Sequence, residues 1–488
     1  MVFMGCANCQ RLEAENAALK RRVAELERSD REKDERIEAL EGAVRKLAAR
    51  AGLNSANSSM PPSSDLARGK DRPPRARDGD GQKRSRGGQP GHKGATRKPF
   101  PEGEVDRIVP LLPETCGGCG GRLHGEGTLA GTHQVVDVKP APVEVTEYRM
   151  FARMCRCGAT TTAGLPQDVS PWCLGFRLHA ILTTLTGRFR ISRREAEEVL
   201  VALYGPKAKV ALGSIASFEG RTSESLAPVY EEATAAARSS EAVHLDETSW
   251  REGGDKAWLW AAAMRLLAVF RIDRHRSRKA YHRLMGENYL GHVHTDRYAA
   301  YHDLSEVLRQ LCWSHLKRDF RKLADFGGRQ AASVGRSCLR VHRLVMEGWR
   351  RHQAGDLRHA SLRTRMQPVK RRLWGILSRG RRCRDPDAVA LCRELTKHFN
   401  SLWTFARYAG VEPTNNRAER ALRKGVLWRK GSFGSDSAAG SRFAERMLTV
   451  SESLRMQGRC VVDFVEAAIR ARIAGTPAPS LLPLRKTG

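Results

Sequence analysis

Three acidic residues stand where oxygen ligands to a metal are needed. Asp246 closes the apolar run Val243-His244-Leu245, Asp296 closes Val293-His294-Thr295, and Glu419 sits in Asn415-Asn416-Arg417-Ala418-Glu419-Arg420. A carboxylate delivered at the end of a strand is held rigidly at a sheet edge, as a hard divalent cation requires. Taken alone, an Asp after an apolar run is more often a turn residue. Likewise Glu419, with Arg420, Arg423 and Lys424 beside it, reads equally as part of a salt-bridged helix. A second set comprises Cys116 and Cys119 in Cys-Gly-Gly-Cys, with Cys155 and Cys157 in Cys-Arg-Cys. Two such pairs supply four thiolates to a structural Zn2+ and leave no open position for chemistry, although the single residue between Cys155 and Cys157 is cramped.

The elements that must position these groups follow in chain order. After the strand carrying Asp246, residues 257–264 and 267–272 are apolar runs of strand length. A basic amphipathic helix then covers 277–285, a strand 289–296, a helix 298–310 and a short strand 311–313. That order suits an α/β, ribonuclease-H-like catalytic core over 239–450, in which the first and fourth strands are neighbours and bring Asp246 and Asp296 together. Two carboxylates at one edge, joined by a third, suit two Mg2+ ions (or Mn2+) roughly 3.5–4 Å apart that clamp a phosphodiester. The basic stretch at about 321–405 reads as a helical insertion, and 451–488 as a C-terminal segment. Glu247 rivals Asp246 as a ligand, but on a continuing strand its side chain faces the other way. Asp273 and Asp303 read as surface residues, and Cys312-Trp313-Ser314-His315 is assigned no metal.

Upstream, residues 1–50 repeat every seven: Leu12, Leu19, Leu26, Leu40 and Leu47 share one heptad position, and Val23, Ile37 and Val44 the other. This predicts a coiled coil and a homo-oligomer, with Asn16 fixing register and Asp30 and Lys33 weakening the middle. Cys6 and Cys9 form a lone pair of little weight. Residues 51–104 read as a basic disordered linker in which Arg84, Arg86 and Lys93 meet nucleic acid. Residues 105–168 read as a zinc-ribbon-like module with strands near 135–138 and 143–151. Within 169–238, a helix capped by Ser192 with Glu195 at its third position, then a turn and a second helix started by Ser214, outlines a helix-turn-helix.

The 488 residues carry 85 Lys+Arg against 54 Asp+Glu, a net charge of +31. A polyanion is the natural partner of such a chain, because phosphate neutralisation releases counterions. No run of 18 apolar residues and no export signal stands in the sequence, so membrane partners are set aside and the cytoplasm, in contact with the nucleoid, is expected. Twelve cysteines without an export signal point to metal or free thiols rather than disulfides.

Together these motifs resemble transposases of the insertion sequence 66 family. Carriers of the resemblance include Asn57-Ser58-Ser59, Gly88-Gln89-Pro90-Gly91-His92-Lys93-Gly94, Asp246-Glu247-Thr248 with Trp250, and Thr295-Asp296 with Tyr298. Cys312-Trp313 with His315, Asn415-Asn416 with Ala418-Glu419-Arg420, Arg429-Lys430 and Leu481-Leu482-Pro483 complete the series. The resemblance implies a DDE transposase with Asp246, Asp296 and Glu419 as catalytic metal ligands. It implies phosphoryl transfer on double-stranded DNA, at the element's terminal inverted repeats and at target DNA, with accessory proteins of the same element as partners. Arg420, Arg423, Lys424, Arg429 and Lys430 are then DNA contacts. Two other readings remain open: a zinc and helix-turn-helix regulator without catalysis, and a metal-dependent nuclease that cuts without joining.

Overall fold

The computed structural model describes residues 99–483 apart from 126–127, 137–142 and 158, together with 15–17, 19, 20, 22, 23, 25, 26, 30 and 33. Arg84, Arg86, Lys93, Cys6, Cys9 and the heptad residues Leu12, Ile37, Leu40, Val44 and Leu47 lie outside the described residues. So do the motifs at 57–65 and 88–94. The chain forms two compact units, Ala67–Glu144 and Met1–Leu66 with Val145–Gly488. The described residues between 15 and 33 are helical, and Leu19, Val23 and Leu26 are exposed along them. An apolar stripe in this state is what a partner helix covers.

In the Ala67–Glu144 unit, Cys116 and Cys119 lie in a tight turn bridged by Thr115 and Arg122. Its backbone closes by Gly120 N–H to Cys116 O, 2.9 Å, and Cys116 N–H to Gly121 O, 2.8 Å, and Gly120 has a left-handed φ of 73°. In the larger unit, β1 (Ala152–Met154) and β2 (Thr160–Thr162) form an exposed antiparallel hairpin with Cys155 and Cys157 at its turn. The strands expected near 135–138 and 143–151 are not formed among the described residues, because isolated alternating runs without a packed face do not hold a ladder.

Four helices follow: α1 (Phe176–Thr184), α2 (Arg193–Tyr204), α3 (Leu212–Ser225) and α4 (Ala227–Arg238). The capping box at Ser192 and Glu195 forms as read from the sequence. The second helix, however, begins at Leu212 rather than at Ser214, and no side chain caps it. It buries Ile215, Phe218 and Thr222, and its exposed face offers Gly213, Ala216, Ser217, Gly220 and Glu224, with no cation for a phosphate.

The central sheet has five strands: β3 (Ala242–Glu252), β4 (Asp255–Ala263), β5 (Ala268–Asp273), β6 (His292–Thr295) and β7 (Arg309–Leu311). Their order is β5-β4-β3-β6-β7, with β3, β4 and β5 antiparallel and β6 and β7 running parallel to β3. Helix α5 (Arg278–Met285) connects β5 to β6. The first and fourth strands are thus neighbours, as the sequence order implied. The helix expected over 298–310 is absent: residues 299–301 make one 3-10 turn, and β7 starts at Arg309 instead of Leu311.

The helical insertion comprises α6 (Trp313–Phe326), α7 (Arg329–Gln353), α8 (His359–Gly380), α9 (Pro386–Lys397) and the single turn α10 (Thr404–Arg407). It has its own hydrophobic core, from Leu311 and Trp313 through Leu373 to Val411, so it begins earlier and ends later than 321–405. The main core joins the sheet to α4 and α5 and to three last helices: α11 (Asn416–Ser432), α12 (Ala438–Gln457) and α13 (Val461–Ala474). Helix α11 crosses β3 and β4 closely at Gly425, where a Cβ would fall 2.1 Å from Leu259 Cδ2.

Helix α12 lies along the outer edge of β5 and hydrogen-bonds it with side chains one turn apart. Ser453 Oγ accepts from Ala268 N–H at 3.0 Å, Thr449 Oγ1 from Phe270 N–H at 3.1 Å, and Glu445 from Ile272 N–H. The otherwise unpaired donors of an edge strand are thereby satisfied. Burial pushes the Glu445 carboxyl up to about 7, against the opposing pull of Arg442. Between the ordinary carboxyl range and pH 7 the unfolded chain therefore holds fewer protons than the folded one, and stability falls as pH rises through that window. Glu445→Gln is expected to flatten this part of the melting-temperature profile, as differential scanning calorimetry at pH 5, 6 and 7 would read; an unchanged slope would refute the assignment.

Candidate active site

In the parallel pair of β3 and β6, Ala242, Val243 and His244 face His292, Val293 and His294. Continuing that register by two residues sets Asp246 opposite Asp296, the residue after the last of β6. The two strands are held beneath the acids by stacked imidazoles, His244 on His294 at 3.8 Å between ring centres. His294 Nδ1–H donates to Val243 O at 3.1 Å while Nε2 accepts from Glu412 N–H at 2.9 Å. An imidazole that accepts at one nitrogen is neutral, in keeping with burial, which pushes its pKa down to about 4.

Glu419 arrives from the first turn of α11. Asn415, fully buried just before that helix, donates from Nδ2 to Leu245 O at 2.6 Å, while its own N–H donates to Cys312 Sγ at 3.1 Å. Ser314 Oγ donates to Asn416 Oδ1 at 3.2 Å. These bonds fasten the start of α11 both to β3, one residue from Asp246, and to the start of α6. Gly425 then lets the helix continue flat across the sheet.

The charges of three neighbouring carboxylates act on Asp246. Asp246 is held well above the usual aspartate range, first by burial and then by the negative charges of Glu247, Asp296 and Glu419. Glu247 is not free: its side chain is buried, paired with Arg276 at 2.7 Å and accepting from Tyr301 Oη–H at 2.5 Å. It is thus occupied as a structural ion pair, while Asp246 has only its neighbour's N–H, 3.0 Å away. Asp296 accepts the N–H of Tyr298 at 2.9 Å, and the backbone there is braced by Arg309, whose guanidinium donates to Asp296 O at 2.9 Å and to Thr295 Oγ1 at 3.0 Å. Arg297, next to Asp296, pairs with Asp319 of α6 at 3.1 Å and with Glu394 of α9, which ties the insertion to the site.

A cleft of about 390 Å3 opens beside Asp296, with Arg276, Tyr298, His315 and Arg318 on its walls. His315 Nδ1 lies 3.5 Å from Glu419 Oε1, and Arg318 approaches the same oxygen at 4.0 Å. Asn415, His315, Arg297 and Arg309 were not assigned from sequence. The Asn415-Asn416 and Cys312–His315 motifs were visible there, but Arg297 and Arg309 gave no signal. Asp273, read as a surface residue, is instead buried in a pair with Arg283 at 2.9 Å. Asp303 is exposed, as read from the sequence, with its carboxylate 3.2 Å from His282 Nε2.

Among the cations assigned to DNA, Arg420, Arg423 and Lys430 are exposed on α11 and Lys424 is half-buried. Arg429 is held by Ser249, donating to its carbonyl at 2.8 Å, so it anchors α11 to β3. A second concave surface lies on α6 and α7, a groove of about 670 Å3 lined by Lys317, Arg321, Arg336, Arg340, Arg343 and Arg350. Among the described residues none of these six is ion-paired with an acid.

Each cysteine pair behaves as a knuckle in its own unit. The Cys116 thiol is lowered by backbone N–H groups of Cys119 and Gly118, and that of Cys155 chiefly by the N–H of Cys157. No helix among the described residues is long and apolar enough to cross a membrane.

Residues 202–442 match the Transposase IS66 family, and residues 7–98 match a family of unknown function (DUF6444). Two proteins of Sinorhizobium fredii are similar to the chain. The uncharacterized protein y4qI is 24% identical over 253 residues, 46% of each chain. The uncharacterized protein y4hP is 22% identical over 440 residues, 80% of this chain and 76% of its own. The chain therefore spans about half the length of the first of these relatives.

Proposed function

Because the match over residues 202–442 makes this chain a member of the IS66 transposase family, we propose that it is a DDE transposase that cuts DNA at the inverted repeats of its element and joins the freed ends to target DNA. The observation that carries this reading is the convergence of three elements: the β3–β6 register sets Asp246 opposite Asp296, and Asn415 fastens the start of the helix that bears Glu419 to Leu245 beside Asp246. The strand order β5-β4-β3-β6-β7 supports a ribonuclease-H-like core around them. The acids also fit the cations such a core uses. Glu247 pairs with Arg276 and Glu419 has Arg318 at 4.0 Å, whereas neither Asp246 nor Asp296 forms an ion pair among the described residues. Two Mg2+ (or Mn2+) ions held by Asp246, Asp296 and Glu419 supply Lewis acidity at the attacking and leaving oxygens of the phosphodiester.

The chain's own part is positioning and charge. Asn415 and Arg309 fix the carboxylates, and Arg318 and Arg276 offer guanidinium groups to a phosphate in the cleft. From His315 to Arg321, α6 advances about 9 Å along its axis, roughly three base steps of a strand, into the α6–α7 groove. We therefore read that groove, with Arg420, Arg423, Lys424 and Lys430, as the DNA track; Arg429 supports it from behind. Arg84, Arg86 and Lys93 belong to the same reading as a basic arm, and residues 1–50 as the dimerising coiled coil. Each cysteine pair supplies two of the four thiolates that a structural Zn2+ takes. The whole acts at the nucleoid, in the cytoplasm, with accessory proteins of its element as further partners.

Strand transfer on pre-cleaved DNA ends with Mg2+ tests the assignment. Ends joined to target DNA support a transposase. Hydrolysis without joining supports a nuclease, and binding without either supports a regulator. For the groove, changing Arg321, Arg336, Arg340 and Arg343 together to Ala is expected to lower the slope of log affinity against log salt by up to about 3.6, at roughly 0.9 per phosphate contact. The matched control removes Arg363, Arg371, Arg372 and Arg382, all exposed outside that groove. Fluorescence anisotropy reads both, and equal losses in the two sets would reject the groove.

A further inference from the structure

The Cys312–His315 motif has no part in the chemistry above, yet the fold brings it against the third acid. Among the described residues, Cys312 Sγ, a nitrogen of His315 and an oxygen of Glu419 form the only group of three ligand atoms lying within 4.8 Å of one another. His315 Nδ1 and Glu419 Oε1 are both buried, both lack a hydrogen-bond partner, and face each other at 3.5 Å. Two such orphans are costly unless something sits between them. Nitrogen and oxygen ligands at the usual 2.0–2.2 Å from one tetrahedral Zn2+ stand about 3.4 Å apart, so the observed spacing is that of one edge of a coordination shell.

From this we propose that Cys312, His315 and Glu419 bind a single borderline-soft divalent cation of the Zn2+ kind, at a site separate from the Mg2+ pair but sharing Glu419 with it. The donor set of one sulfur, one imidazole and one carboxylate suits Zn2+, whereas Mg2+ takes oxygen ligands. Three protein ligands leave a fourth position open, the pattern of an exchangeable rather than a buried structural ion.

The thiol is already arranged as a ligand. Cys312 stands at the N-terminus of α6, and its Sγ receives the N–H of Asn415 at 3.1 Å. Such a donor stabilises a thiolate. Burial pushes the thiol up to about 11. The bond from Asn415 accounts for the sulfur but leaves the imidazole nitrogen and the carboxylate oxygen without a hydrogen bond. Closing the sulfur to about 3.6 Å from the other two ligands takes a side-chain adjustment of about 1 Å.

The consequence rests on the role proposed for Glu419: a carboxylate engaged with His315 and Cys312 is withdrawn from Asp246 and Asp296, so the two occupancies compete. The binding itself does not rest on that role, and it is tested without DNA. The full chain is dialysed against ZnCl2, and bound zinc is counted by plasma mass spectrometry in wild type, Cys312→Ser and His315→Ala. Ser keeps an acceptor for the Asn415 N–H while removing the soft ligand, and circular dichroism with a melting curve checks the fold of each variant. One zinc equivalent fewer in both variants is the expected result, with loss of one tetrahedral sulfur-bound component from the Co2+ absorption spectrum. Equal zinc counts in all three proteins would overturn the site. A chain that fails strand transfer but loses one equivalent in the variants would overturn only the transposase reading.

Discussion

Asp246→Asn is expected to lower strand transfer by three orders of magnitude or more while raising the melting temperature of the metal-free protein. The first effect follows from ligand loss, since a metal clamp contributes several kcal/mol to the transition state and each 1.36 kcal/mol is tenfold in rate. The second follows from the state of the carboxyl. Burial and the charges of Glu247, Asp296 and Glu419 hold Asp246 well above its ordinary range. The unfolded chain thus releases this proton first as pH rises, and the folded state loses stability. A neutral amide of the same shape removes that loss. Mg2+ is expected to stabilise the wild type, at about 2.7 kcal/mol for a ligand at a hundred times its Kd, and to leave the variant's melting temperature unchanged. A structural aspartate gives the opposite pattern, with lower stability and no response to Mg2+ in either protein. Joining within tenfold of wild type would remove Asp246 from the catalytic set.

Asn415→Ala is expected to reduce strand transfer about a hundredfold without touching a ligand, since a displacement of about 1 Å in a reacting group costs that much. The amide is fully buried and forms the bond nearest Asp246 between the start of α11 and β3, far from the second anchor at Arg429. Removing it leaves Leu245 O unpaired, which costs about 1–3 kcal/mol, and frees the first turn of α11 to move with Glu419. The melting temperature falls as well, by roughly 2–4 °C per kcal/mol for a domain of this size. Anisotropy with end DNA is expected to stay within twofold, because the cations of α11 and of the α6–α7 groove are left in place. A loss of joining matched by an equal loss of binding would count against a positioning role.

The three candidate acids were legible because a strand ending in Asp is a local pattern, and because Asn415-Asn416 marks the start of the helix that brings the third. The neighbouring of the first and fourth strands was legible from the order of runs alone. Strand β7 was not. Arg309 and Gln310 are polar residues that look like the end of a surface helix, yet both are buried. Their partners come from far along the chain: Gln310 Oε1 accepts from Phe405 N–H at 2.8 Å, and Arg309 reaches Thr295 and Asp296. Tertiary hydrogen bonds overrode the local preference. The same holds for His315, whose helix gives no hint that it faces Glu419. The start of α3 was misplaced for the converse reason: Ser214 offered a cap, but the buried positions Ile215 and Phe218 set the helix, and its first turn needed none.

The side chains of α12 that finish β5 come late. Ile272 waits 173 residues for Glu445, Phe270 waits 179 for Thr449, and Ala268 waits 185 for Ser453. On a ribosome adding about 5–20 residues per second, the outer strand emerges roughly 9–37 s before its cover does. Through that interval a bare, apolar strand edge stands in the cell with its donors unpaired, on a chain whose finished form has none there. The insertion, with its own hydrophobic core, is made in the same interval and can fold while the sheet waits. Closure of the sheet therefore waits for α12, the second-last helix of the chain, and truncation before Glu445 leaves a chain that offers its edge strand to any other.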